Sequence, residues 1–89
     1  MINEKDNPVE WALMCYQFEE VAEHLQNLSN EIVPNAEINE EEFNVQMGHI
    51  YSHLNRIWNS RNHIGEISDE NFEEYSKLPK DIKLDGKCA

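Results

Sequence analysis

Trp11, Met14, Phe18, Val21, Leu25, Leu28 and Ile32 follow one another at separations of 3, 4, 3, 4, 3 and 4 residues. This is the a/d spacing of a helix packed along its whole length. A second run, Phe43, Met47, Ile50, Leu54, Ile57, Arg61 and Ile64, alternates 4 and 3 in the same way. Two helices of roughly 37 to 39 Å, joined by the short stretch from Val33 to Asn39, fold back on each other as antiparallel neighbours. In that register small residues face bulky ones: Ala22 meets Tyr51 and Cys15 meets Trp58, while Ser29 meets Asn44.

Capping chemistry sets the boundaries. Asn7-Pro8-Val9-Glu10 supplies an N-cap, a proline at the first helical position and an acid at N3, and Pro34 is expected to stop the helix. Asn39 with Glu40, Glu41 and Glu42 repeats the logic, and Gly65 is a natural C-cap. Ser68-Asp69-Glu70 opens a short third helix with Phe72, Tyr75 and Leu78 on one stripe, ended by Pro79. The spacing therefore predicts an all-α chain, with a frayed lead over 1–6, one helical domain over 7–79 and a flexible tail over 80–89. Its helices fall at about 8–33, 40–64 and 69–78.

A single domain of 89 residues buries only about 60% of its unfolded surface, so its core is marginal unless something supplements it. Val9, Leu13, Tyr16 and Val45 are apolar but lie outside the a/d seam. One hairpin partner cannot cover them all, which predicts a homodimeric four-helix bundle, with the third helix as the alternative cover.

Eighteen acids against seven bases give a formal charge of -11, which argues against direct contact with nucleic acid or an anionic membrane and favours a basic protein partner. Two cysteines, Cys15 within a helix and Cys88 near the end, imply no disulfide framework. Together with the lack of a long apolar stretch, this reads as a cytoplasmic protein, and Cys15 reads as an inert buried thiol. There is no Gly-rich phosphate loop, G-x-S-x-G elbow or H-E-x-x-H, so no enzymatic activity is expected.

The most specific polar constellation is Glu20 and His24 on the first helix with His49 and His53 on the second. Both pairs are four apart, and the register sets His24 against His49 and Glu20 against His53. Three imidazoles and a carboxylate make a tetrahedral Zn²⁺ set. Such residues also occur simply as a solvated flank, and the default expectation is no cofactor.

The wider stripe Glu42, Gln46, His49, His53, Arg56, Ser60 and His63 is either a recognition surface or the wet side of a bundle helix, with Arg56 opposite Gln17 and His63 opposite Glu10. Trp11, Trp58 and Arg61 are candidate partner anchors or a core closure in which Arg61 stacks on Trp11. Glu19 and Glu23, with neighbouring acids, offer a face for a basic protein or confer solubility alone. The leading expectation is a non-enzymatic interaction module, an adaptor or inhibitor using Glu19, Glu23, Arg56, Trp58 and Arg61. The alternative is a zinc-binding helical protein using the Glu/His cluster.

Overall fold

A computed structural model describes residues 1–85 as α1 (Pro8–Asn35), α2 (Glu40–Asn59) and α3 (Asp69–Tyr75), with no strand among the described residues. Cys88 and the end of the expected tail lie outside them. The long hairpin is confirmed: α1 and α2 pack against each other, and α3 packs on α2. His24 beside His49 reproduces the predicted register.

Several boundaries differ from expectation, each for a local reason. Helix α1 runs through Pro34 to Asn35 because the proline falls in the last turn. There Asn35 Nδ2 donates to the Glu31 carbonyl at 2.7 Å, and the left-handed Ala36 returns its N–H to Ile32 at 2.9 Å. Helix α2 ends at Asn59 because polar side chains take its terminal carbonyls. Ser60 Oγ donates to the Arg56 carbonyl at 2.6 Å and Arg61 Nη1 to the Trp58 carbonyl at 2.8 Å. Gly65 still adopts a left-handed φ of 92°, but in the loop beyond the helix.

Two of the three expected N-caps form: the Asn39 side chain accepts from Glu41 and Glu42, and Ser68 from Asn71. Asn7 does not cap α1. Its Oδ1 accepts from the Asn3 N–H instead, and Glu10 accepts from the Gly65 N–H across the hairpin. The first six residues, expected to fray, form a side-chain-bonded turn, with Ile2 buried and its N–H donating to the Arg61 carbonyl at 2.8 Å. Asp81, in the expected tail, accepts from Trp58 Nε1 and pairs with Arg61.

The core is thin. Ile2, Met14, Val21, Leu28 and Ile50 are the buried apolar residues among those described, and no side chain reaches full burial. The radius of gyration is 15.1 Å, against about 12 Å for a compact chain of this length, so the hairpin is a rod measuring 45 × 26 × 26 Å. Of the seven a/d positions in α1, Met14, Val21 and Leu28 are buried, while the intervening Phe18 and Leu25 stay 52% and 49% exposed. In α2, Ile50 is buried between Phe43 and Leu54, which are 39% and 41% exposed. The hairpin partner thus buries one row of the α1 seam and leaves the other open at Phe18 and Leu25, while in α2 Met47 and Ile57 also pack against the core.

Helix α3 is seven residues long and contributes no buried residue. It is held by hydrogen bonds from α2 to its otherwise orphaned terminal carbonyls. Asn55 Nδ2 donates to Ser76, and Asn59 Nδ2 to both Tyr75 and Lys77, each at 2.9 Å. Asn55 is the buried polar residue of the described chain. Asn55→Ala leaves the Ser76 carbonyl without this partner and is expected to cost about 1–3 kcal/mol in urea denaturation. An unchanged midpoint would show that α3 is held by other contacts.

Candidate functional site

Three surfaces carry chemistry: a histidine cluster on one flank of the hairpin, an arginine-centred cavity beside it, and an open apolar face on the opposite flank.

Helix periodicity builds the cluster. Gln17, Glu20 and His24 lie 3 and 4 residues apart on α1, and His49 and His53 lie 4 apart on α2. Glu20 Oε2 is 3.8 Å from His24 Nε2. The His24 ring lies 5.2 Å from His53 and is stacked on His49 at 6.1 Å with 8° between planes. Glu20, His24 and His53 bring one potential ligand atom each within 4.8 Å of one another. His49, the fourth residue expected in the set, is more exposed and stands just outside this triad.

The sequence reading missed the partner of His53. Its Nδ1 is 2.6 Å from Gln17 Oε1 and 3.1 Å from Arg56 Nη2. One ring nitrogen donates or accepts but does not do both, and we assign Nδ1 as donor to the closer carbonyl oxygen. That choice leaves the lone pair on Nε2. Burial, then the charge of Arg56, then His24 hold the His53 pKa below its ordinary value. On the outer side of the cluster, the Glu20 carboxylate raises the Tyr16 phenol above its ordinary value, by hydrogen bonding first and by charge second. The 3,4 spacing of Gln17, Glu20 and His24 was the available signal for Gln17.

Arg56 is turned inward. Its Nη1 donates to Ser76 Oγ at 3.0 Å, and its guanidinium lies 4.5 Å from the Phe72 ring centroid. Its Nε is the one buried side-chain polar atom without a hydrogen-bond partner among the described residues. Beside it, a cavity of about 220 Å³ opens between Leu13 and Met14 of α1, Ile57 of α2, and Phe72 and Tyr75 of α3. His63, expected opposite Glu10, contacts Tyr75 Oη through Nδ1 at 2.9 Å and the Glu66 carbonyl through Nε2 at 2.9 Å.

Of the candidate partner residues, Glu19 and Glu23 are exposed, whereas Arg56, Trp58 and Arg61 are partly buried and engaged within the chain. Arg61 stacks on Trp58 at 3.9 Å instead of on Trp11, because α2 ends early and the turn folds Arg61 back over its own neighbour. Cys15 is exposed, not buried. At the turn end the neighbouring Glu42 carboxyl raises the Glu31 pKa, by hydrogen bonding first, so this pair takes up a proton more readily than isolated acids do.

The open face follows from the half-covered seam. At 100° per residue Phe18 and Leu25 fall on one flank of α1, and Tyr51 and Leu54 on the matching flank of α2. In an antiparallel pair these flanks point to the same side, opposite the histidine cluster. Val9, Leu13, Tyr16 and Val45 also stay exposed, from 54% to 67%, so α3 does not cover them. Among the described residues no helix is long and apolar enough to cross a membrane.

The lowered His53 pKa has a definite sign for stability. The folded protein holds fewer protons at this site than the unfolded chain, so the contribution is present above about pH 6.5 and is lost as pH falls through the folded value. Denaturation midpoints are expected to drop between about pH 7.5 and pH 5, and His53→Gln is expected to flatten that slope. A slope unchanged by the substitution would assign the effect to other groups. Comparison with protein families, curated proteins and solved structures finds no match, so the functional reading rests on these three surfaces.

Proposed function

We propose that this chain is a non-enzymatic protein-interaction module: two copies pair through their open apolar faces into a four-helix bundle, and the acidic exterior docks on a basic protein. The observation that carries the reading is the alternation along the α1 seam, with Met14, Val21 and Leu28 buried and Phe18 and Leu25 half exposed, beside Tyr51 and Leu54 left half exposed on α2. In a four-helix bundle each helix has two neighbours, and the a and d rows share them. A hairpin supplies one neighbour, and a second copy supplies the other.

Magnitudes favour this. Two helices about 30 Å long and 8–10 Å apart present a footprint of roughly 600 Å² per copy, near the ~800 Å² each partner contributes to a stable interface. Burying a half-exposed Leu or Phe adds on the order of 1 kcal/mol each, which matters where five apolar residues are buried among those described. Glu19 and Glu23 lie away from this face and keep their charge outward. With a chain charge of -11, that exterior attracts a basic surface and repels nucleic acid.

Pairing couples folding to concentration. The thermal midpoint of the wild-type chain is expected to rise over a hundredfold increase in concentration, and Leu25→Glu or Leu54→Glu to remove that dependence. A wild-type midpoint independent of concentration would contradict the pairing. Docking through the acidic exterior further predicts capture of a specific basic protein that weakens with added salt and is lost in Glu19→Lys/Glu23→Lys. Capture indifferent to both would refute it.

A further inference from the structure

We propose that Glu20, His24 and His53, joined by His49, form a site for one divalent cation of the zinc class that pins α1 to α2. The flank carrying it is opposite the apolar face, so this inference stands independently of the pairing proposed above.

The donor set fits the ion. Imidazole and carboxylate are ordinary zinc ligands, and bonds of about 2.0–2.1 Å place tetrahedral donors roughly 3.3 Å apart. The triad already holds its donors within 4.8 Å, with Glu20 and His24 at 3.8 Å, before any cation draws them inward. Side-chain rotation covers the difference, because both α1 donors sit on one helical face and His53 comes from the facing helix. His49, stacked on His24, is the nearest source of a fourth donor, and water is the other.

The surroundings prepare the ligands. Gln17 Oε1 takes the Nδ1 proton of His53, which orients the ring and leaves Nε2 as the donor, the outer-shell arrangement usual for metal-bound histidine. Tyr16 stands beside Glu20 in the corresponding position. Arg56 is the positive group nearest His53, and it opposes a cation. Its Nη1 is engaged by Ser76 and its guanidinium lies over Phe72, and at His53 the Glu20 carboxylate acts against its charge.

The experiment is titration of the chelator-stripped full chain with Zn²⁺ against a chromogenic chelator, with Co²⁺ as a spectroscopic probe. One equivalent per chain is expected. The Co²⁺ form should show the visible bands of a tetrahedral nitrogen/oxygen site without the intense thiolate band that Cys15 or Cys88 would add. His24→Gln and His53→Gln are expected to weaken binding at least tenfold with helicity preserved. Gln17→Ala should weaken it about tenfold, the usual effect of removing an outer-shell partner. His63→Ala, away from the cluster, should leave binding unchanged. Absence of stoichiometric binding, binding that survives in His24→Gln/His53→Gln, or a thiolate band would overturn the proposal.

Discussion

Everything in this molecule depends on how the α1–α2 seam is shared. A heptad run offers two rows of apolar side chains, and an antiparallel pair crossing at the usual shallow angle can bury both only if the partner lies squarely over them. Here α2 lies to one side of the α1 stripe. Val21, Leu28 and Ile50 interlock, with Met47 and Ile57 against them, while Phe18, Leu25, Tyr51 and Leu54 remain half open. The elongated shape, the absence of any fully buried side chain among the described residues and the apolar face have this common cause. A small domain with so little interior is marginal alone, which is the physical reason for reading the open row as an unfilled interface.

The opposite flank and the open end of the hairpin are organised by polar contacts. Over its last turns α2 changes from an apolar strut into a hydrogen-bonding column. Asn55 and Asn59 hold the end of α3, Arg56 spans Ser76 and Phe72, and Arg61 with Trp58 gathers Asp81. The histidine cluster sits one turn further toward the hairpin loop, with His53 Nδ1 3.1 Å from Arg56 Nη2. The charge of Arg56, the residue that reaches Ser76 and Phe72, acts directly on His53. The apolar face is free of this coupling, so the two proposed roles use separate sides of one rod.

The hairpin, its register, the N-caps of α2 and α3 and the Glu20–His24–His53 triad were legible in the sequence, because helical spacing alone determines which residues share a face and a short turn determines the pairing. Three things were hidden. Helix ends were shifted because Ser60, Asn59 and Asn35 compete for backbone carbonyls in ways no period records. The role of Asn55 exists only once α3 lies on α2, and nothing local marks it. The heptad pattern also overstated the core: periodicity says that two rows are apolar, not which row faces which neighbour. The exposed residues on the open side of the hairpin are therefore Phe18, Leu25, Tyr51 and Leu54, not Val9, Leu13, Tyr16 and Val45.

The most direct test of the shared seam is absolute mass in solution by sedimentation equilibrium at micromolar concentration in the presence of a chelator. The account predicts a species of twice the 10.5 kDa chain mass, unaffected by chelation because the metal flank takes no part in pairing. A folded, fully helical species of single chain mass across that range would contradict it, since the half-open row would then be stable in water without a partner.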